Sequence, residues 1–294
     1  MRITRSVKKY ILSAAIVVLI VAACLIVYEA GRKNKMLPED YPLNVFSFDV
    51  GQGDCELILC EGVSVLIDGG EAEYGQKVER FLKECGVEQL DCYVLTHPHT
   101  DHIGVAAHII SAFPVSQIMT TAFSELNMPT TKAYEDMLAA AEKSGAELLN
   151  VKGGDVYRYG ALKLEILSPL AETDDYNDMS VTVRAVYKST TCLLMGDASS
   201  NVEAQLLNQG GSLKADLLKV GHHGSSDATS EAFLQAVSPD YAVISCGAGN
   251  AFGHPHVQTL NLLNQYGVEV YRTDLNGTVL FYGSGGKLKV RAAA

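Results

Sequence analysis

Thr96-His97-Pro98-His99-Thr100-Asp101-His102 follows the apolar run Tyr93-Val94-Leu95. Four side chains that bind metal well through nitrogen or oxygen, His97, His99, Asp101 and His102, fall within six residues. A strand end followed by a tight loop turns alternate side chains toward one point, which a two-metal site requires. The other histidines point the same way. The chain has 8 His, at 97, 99, 102, 108, 222, 223, 254 and 256; seven fall in three tight clusters and none precedes residue 97.

Outward from that run, polar residues gather at the ends of apolar stretches. Asp68 follows Val65-Leu66-Ile67, Asp197 follows Leu193-Leu194-Met195-Gly196, and His222 and His223 follow Leu217-Leu218-Lys219-Val220-Gly221. Asn177-Asp178-Met179-Ser180 precedes Val181-Thr182-Val183, and Gly253-His254-Pro255-His256 closes a Gly-rich loop. One carboxylate after a strand is usually a turn or helix cap; several such ends beside the His97–His102 run are not. Strand-like runs are expected at 43–50, 55–60, 63–67, 91–96, 115–120, 146–151, 161–167, 181–187, 190–195, 216–220, 241–245, 268–272, 278–282 and 286–290. Helices are expected at 74–85, 102–112, 130–144, 199–209, 230–237 and 256–266. Glu61-Gly62 and Gly285-Gly286 suit hairpin turns. The mixture predicts an α/β protein with two mixed sheets face to face and helices outside.

Hydrophobic content is 48% and charged content 19% over 294 residues, enough for a sizeable core and against long disorder. Seven of the 23 Lys/Arg but only one of the 34 Asp/Glu lie in residues 1–35, so the rest carries a formal charge near −17. Such a body argues against a broad nucleic-acid surface, because nonspecific binding is cationic attraction to phosphates. Bound dications would offset part of the charge. The cysteines, at 24, 55, 60, 85, 92, 192 and 246, are odd in number and form no CxxC pair. Neither a disulfide framework nor a thiolate zinc site is expected, and most of them read as buried small hydrophobes.

The N-terminus reads as a membrane segment. Residues 1–9 are basic (Arg2, Arg5, Lys8, Lys9), and Tyr10 to Tyr28 is nineteen residues without a charge, long enough to cross a bilayer. Residues 29–42 are a linker and 43–294 the body. Four basic residues before the span, against three basic and one acidic after it, place the body outside the cell and the N-terminus in the cytoplasm. Val21-Ala22-Ala23-Cys24 resembles a bacterial lipoprotein box, with Cys24 the residue lipidated; apolar residues continue after it, so an uncleaved anchor is preferred, with lipidation second and a cleaved signal third.

FDVGQGDCELI (48–58), VLIDGG (65–70), LTHPHTDHIG (95–104), NDMS (177–180), LLMGD (193–197), LKVGHHGS (218–225) and GHP (253–255) together resemble the metallo-β-lactamase fold, an αββα four-layer sandwich. More narrowly they resemble the hydrolase domain of the ComEC family of DNA-uptake channels, over about residues 43–283. The resemblance implies two divalent metal ions. His97 and His99 match ligands of one, Asp101 and His102 ligands of the second, and Asp197 the bridging carboxylate. His222 matches the second metal's histidine, with His223 its rival. Asp68 matches the buried aspartate that orients ligands. Asn177, Asp178 and Ser180 fall where the broader superfamily often supplies a further histidine, so the first site is either under-coordinated or completed by an oxygen ligand or water. Zinc is the first expectation, and oxygen-richer ligation admits manganese. In two departures from the pattern, Val105 replaces a second glycine after Gly104, and Gly221 a proline before the paired histidines. A single span forms no pore, so DNA import by this chain alone is not expected.

The implied mechanism is attack by a hydroxide that bridges two dications roughly 3.5–4 Å apart. Lys219 and His254 are candidates for phosphate stabilisation or leaving-group protonation. His108 and His256 read as packing and helix-start residues. The function expected is a membrane-anchored extracytoplasmic hydrolase of phosphodiesters, either nucleic acid or a phosphorylated surface polymer, with no obligate protein partner. The acidic body leans toward the non-nucleic substrate. Lactam or other ester hydrolysis is the enzymatic alternative. A non-catalytic surface-binding module is the alternative of a different class, and the intact ligand set argues against it.

Overall fold

The two sheets follow from period-2 alternation of apolar side chains. The first contains β1 (Leu43–Ser47), β2 (Cys55–Cys60), β3 (Val63–Asp68), β4 (Leu90–Val94), β5 (Val115–Thr120) and β6 (Glu147–Asn150). The second contains β7 (Val156–Tyr159), β8 (Leu162–Ser168), β9 (Thr182–Tyr187), β10 (Thr190–Leu194), β11 (Leu217–Lys219), β12 (Tyr241–Ile244) and β13 (Glu269–Arg272). β14 (Val279–Gly283) and β15 (Lys289–Ala292) return to the first sheet. The strand orders are β15-β14-β1-β2-β3-β4-β5-β6 and β13-β12-β11-β10-β9-β8-β7. This is the computed structural model of the protein, and it describes Val21 and residues 41–292. The span expected at 10–28 (Val21 apart), Cys24, and the linker as far as residue 40 lie outside the described residues. Among the described residues no helix is long and apolar enough to cross a membrane.

Alternation sorts each strand between two cores. Ile58, Val65, Ile67, Cys92 and Val94 of the first sheet meet Leu164, Ile166, Val183, Cys192, Leu194 and Val243 of the second. Leu193, between Cys192 and Leu194, faces the other way with Leu218, Ala242 and Ile244. That outer face is covered by Val202 and Leu206 of helix Ser200–Gln209, Phe233 and Leu234 of Glu231–Val237, and Leu263 of Val257–Gln265. On the far side Phe81 of helix Gly75–Glu84 meets Phe46 edge-on at 5.3 Å and stacks on Phe48 at 3.9 Å. The order helix, sheet, sheet, helix is the sandwich expected from the sequence. Cys55, Cys60, Cys85, Cys92, Cys192 and Cys246 are free and buried. Glu61-Gly62 is a two-residue turn with φ 49° and 88°, as a tight hairpin requires.

Four expectations need correction. Helix 102–112 is two pieces, Thr100–Ile103 and Ala106–Ala112. The break arises because the His102 carbonyl accepts from Gly69 N–H (2.9 Å) and Val105 N–H donates to the Gly70 carbonyl (3.1 Å). Strand 91–96 stops at Val94, since Thr96 N–H turns to the Asp68 carboxylate (2.8 Å). The last strand is Lys289–Ala292 rather than 286–290; the hydroxyls of Ser189 and Thr190 hold the carbonyls of Gly285 and Gly286, each at 2.7 Å. β7 was not expected; it is a short, half-exposed edge strand whose alternation is weak.

β3 and β4 run parallel in the first sheet, and β10, β11 and β12 in the second. Their carboxyl ends carry Asp68, the 97–102 run, Asp197, His222-His223 and the loop to His254. Ligands of α/β folds gather at such strand ends, where loops converge and helices do not cover the backbone.

Candidate metal centre

The 97–102 loop is built around Asp68. Its Oδ1 accepts from Thr96 N–H (2.8 Å), and its Oδ2 accepts from Thr96 Oγ1 (2.6 Å) and from His102 Nδ1 (2.7 Å). Asp68 is fully buried in the left-handed region, φ 54°. Burial pushes its carboxyl up, against His102 and Thr96, which pull it down. Thr96 Oγ1 spends its proton on Asp68, so it accepts from His97 Nδ1 (3.1 Å). One carboxylate and one hydroxyl thus place a proton on Nδ1 of both His97 and His102 and leave Nε2 of each as the ligating atom. Thr96 was not singled out from sequence; its only signal was its position at the seam between an apolar run and a polar one.

The Nε2 atoms face Asp197. His102 Nε2 lies 3.2 Å from Asp197 Oδ1, and His97 Nε2 lies 3.8 Å from Oδ2. His99 Nδ1 is 3.1 Å from His97 Nε2. Asp197 N–H donates to Ser180 Oγ (3.0 Å), which also lies 3.4 Å from His97 Nδ1. Ser180 therefore steadies Asp197 and His97 from behind. Asn177 lies on the same loop, its Oδ1 buried without a hydrogen-bond partner. Asp178 accepts from Ser199 N–H (3.2 Å) and Asn201 Nδ2 (3.3 Å), and so ties this loop to the start of helix Ser200–Gln209.

The paired histidines sit in the reverse of the expected order, with His223 the nearer to the other donor atoms. Both are left-handed (φ 46° and 52°) and Gly224 follows at φ 80°, so the two rings part. His223 is buried, with Nε2 3.2 Å from Asp101 Oδ2 and 3.5 Å from Asp197 Oδ2. His222 is partly exposed, gives Nδ1 to Asp227 (3.1 Å), and holds Nε2 3.9 Å from Asp197. His223, not His222, joins Asp101, His102 and Asp197, whose donor atoms all lie within 4.8 Å of one another. Two adjacent residues cannot be ranked by spacing, so the sequence could not choose between them.

Lys219 also needs correction. It is fully buried, and its Nζ binds Asp54 Oδ2 (2.5 Å) and the Val220 carbonyl (3.0 Å). It cannot meet a substrate phosphate. Asp54, 1% exposed, was missed as a site residue; its signal was its place at the start of an apolar run, after Gly51-Gln52-Gly53. His254 lines the mouth, its ring 5.5 Å from that of His222 and stacked on Phe252 at 5.6 Å. Its Nδ1 is buried without a hydrogen-bond partner. Burial and then the charges of His223 and His222 bring it down to about 4. At neutral pH it is an uncharged hydrogen-bond partner rather than a proton donor to a leaving group.

Burial works to lower His102 and His223, but Asp197 and the other nearby carboxylates outweigh it and raise both, so a metal held there would displace a proton from each Nε2. Burial pushes His97 well down, helped by His102, so it is neutral, the form that ligates. Burial works to raise Asp197, but His102 and His223 outweigh it and hold the carboxylate well below its usual range. Among the described residues, His102 Nε2, His223 Nε2 and Asp197 Oδ1 are buried without a hydrogen-bond partner. Buried polar atoms are rarely left so. Three of them converging beside Asp101 fit a divalent metal that two imidazoles and two carboxylates would hold.

Residues 48–248 match the Metallo-beta-lactamase superfamily. The chain belongs to this superfamily. It is 33% identical over 252 residues to ComE operon protein 3 of Bacillus subtilis (strain 168), covering 79% of this chain and 32% of that protein. It is 32% identical over 256 residues to competence protein ComA of Neisseria gonorrhoeae, covering 85% and 34%. The chain thus spans about a third of the length of these curated relatives. The metallo-beta-lactamase fold protein YhfI of Bacillus subtilis superposes with a TM-score of 0.54 at 13% identity, over 86% of this chain and 100% of that one. That likeness concerns the fold alone. The resemblance drawn from the seven motifs, to the ComEC branch of this superfamily, is borne out.

Proposed function

We propose that this metallo-β-lactamase-superfamily protein is a metal-dependent phosphodiesterase held at the membrane. The observation that carries the reading is the buried convergence of Asp101, His102, Asp197 and His223 at one point, with unpartnered ligand atoms. His97 and His99 stand beside it for a second ion. Paired divalent ions, when bound, activate water at neutral pH and steady both the attacking and leaving oxygens of a phosphodiester. The chain's own residues supply the rest. Asp68 and Thr96 fix the two Nε2 ligands, Ser180 steadies Asp197, and His254 offers a neutral imidazole at the mouth for a substrate oxygen. Zinc is the first candidate ion, and manganese the second.

Two substrate classes are in play. The resemblance to the ComEC family of DNA-uptake channels supports nucleic acid. The acidic body, near −17 outside residues 1–35, supports a phosphorylated surface polymer, because it repels a polyanion except at the site itself. The test uses the full chain with zinc or manganese on bis-p-nitrophenyl phosphate, single- and double-stranded DNA, and p-nitrophenyl phosphorylcholine. Cleavage that Asp101→Ala abolishes would support the phosphodiesterase, and the substrate ranking chooses the class. Full metal occupancy with no cleavage would sink it and turn the search to lactams and other esters. Failure to bind either metal would leave a surface-binding module as the better reading.

The uncharged run 10–28, behind four basic residues, supports an anchor with the body outside the cell. Resistance to alkaline extraction, together with protease sensitivity of the body in intact cells, is expected. A body protected in intact cells would reverse the orientation. Radiolabelled palmitate on Cys24 would favour the lipoprotein form.

A further inference from the structure

Lys219 and Asp54 form a fully buried ion pair behind the metal centre, and no substrate can reach either. Asp54 Oδ2 holds the Lys219 ammonium at 2.5 Å. Its other oxygen, Oδ1, lies 3.3 Å from His223 Nδ1. The Ser245 carbonyl accepts from the same Nδ1 at 2.9 Å, while Ser245 Oγ donates to the Gly53 carbonyl at 2.7 Å. Asp54 N–H donates to the Asp101 carbonyl at 3.2 Å. The 53–54 loop is therefore wedged between the loop carrying Asp101 and the loop carrying Ser245, with His223 between them. A buried charge pair without a task is a poor stabiliser, because desolvation offsets most of its attraction. Its geometry toward His223 gives it one.

We infer that Lys219 and Asp54 are positioning residues for His223. The ammonium fixes the carboxylate, the Ser245 carbonyl takes the Nδ1 proton in a hydrogen bond, and the Asp54 charge 3.3 Å away favours that proton, so that Nε2 is turned to Asp101 and Asp197 as a ligating atom. Asp54, at the entry to β2 of the first sheet, thus backs a histidine of the second sheet as Asp68 backs His102, with two differences: Asp68 bonds its histidine directly at 2.7 Å and is held by a backbone N–H and a hydroxyl, whereas Asp54 stands 3.3 Å from Nδ1 and is held by a cation. The sequence places the pair 165 residues apart, and the inference rests on reading His223 as a metal ligand.

The test is zinc binding by competition titration together with nitrogen-15 spectra of the His223 ring in the zinc-loaded full chain. Removing one charge alone strands the other in the interior, so the decisive variant is Asp54→Asn combined with Lys219→Met. It should bind zinc roughly 10–100-fold more weakly than the wild type, the range for partners that orient a ligand. Each single variant that folds should lose about as much as the pair, not the product of two separate losses. In the zinc-loaded wild type, His223 should show a protonated Nδ1 whose signal shifts in the double variant. A folded double variant with wild-type zinc affinity would overturn the inference. So would a His223 Nδ1 without a proton in the zinc-loaded wild type, a result that needs no variant to fold. If the wild type binds no zinc, the metal reading itself falls, and this inference with it.

Discussion

At the scale of single residues, the site depends on where protons sit rather than on how many ligands there are. An imidazole ligates only through an unprotonated nitrogen, so whatever holds the proton on the other nitrogen decides whether the histidine can serve. For His97 and His102 that is Thr96 and Asp68. For His222 it is Asp227, at a position where Nε2 stays 3.9 Å from Asp197. His223→Ala should therefore lower bound metal from about two ions per chain toward one, while His222→Ala leaves the stoichiometry intact; elemental analysis of the dialysed variants reads this directly. Equal losses in both would restore His222 as a ligand. Asp68→Asn should weaken metal binding about 10–100-fold without removing any ligand, measured by competition with a chelating dye, and unchanged affinity would remove Asp68 from its role.

At the scale of elements, loops and helix ends hold the strand ends in register with one another. Gly53 shows how tightly: at φ 133°, a Cβ there would collide with the Asp101 carbonyl oxygen and approach Gly70 Cα at 3.2 Å. Gly53→Ala should cost at least about 2 kcal/mol from backbone strain and collision, read by urea denaturation, and should weaken metal binding through Asp101. Glu203 ties helix Ser200–Gln209 to the start of helix Glu231–Val237 by accepting from Thr229 N–H (2.5 Å) and Ser230 N–H (2.7 Å). Burial pushes its carboxyl up to about 7, against those two donors. The folded chain then holds this proton more tightly than the unfolded chain, whose carboxyl titrates near its ordinary value. The contribution to stability is complete below about pH 4.3 and is lost as pH rises toward 7, by up to about 3 kcal/mol. Glu203→Gln should flatten that part of the stability–pH curve, and a wild-type curve of the same shape would show that the group does not titrate as stated.

At the scale of the whole molecule, the body carries far more acid than base, and Asp54, Asp68, Asp101 and Asp197 crowd into its centre. Lys219 offsets part of that charge from within. Bound divalent ions would offset much of the rest, so metal should contribute to stability as well as to chemistry. At a metal concentration 100-fold above Kd the gain is about 2.7 kcal/mol. For a body of this size that raises the melting temperature by roughly 5–10 °C. Chelator should lower the transition by that amount and re-added zinc restore it, in a scanning calorimeter. A transition indifferent to chelator would contradict a resident metal.

By itself the sequence determined the two-sheet α/β architecture, the His97–His102 run, and the strand-end positions of Asp68 and Asp197. These are local signals: period-2 alternation, helical spacing, and ligand types set a few residues apart at strand ends. It also carried the acidic body and the uncharged N-terminal run. The tertiary structure alone decided which of His222 and His223 turns inward, because two left-handed residues in sequence send adjacent rings apart and no spacing rule ranks them. It alone withdrew Lys219 from the substrate and set it on Asp54, since burial and a contact across 165 residues leave no trace in the local pattern. It alone broke the helix after Ile103, where backbone groups bond to the Gly69-Gly70 loop rather than to the next turn. Period and composition are properties of neighbours along the chain, whereas the direction of a ring and the partner of a buried charge are fixed by elements that meet only on folding.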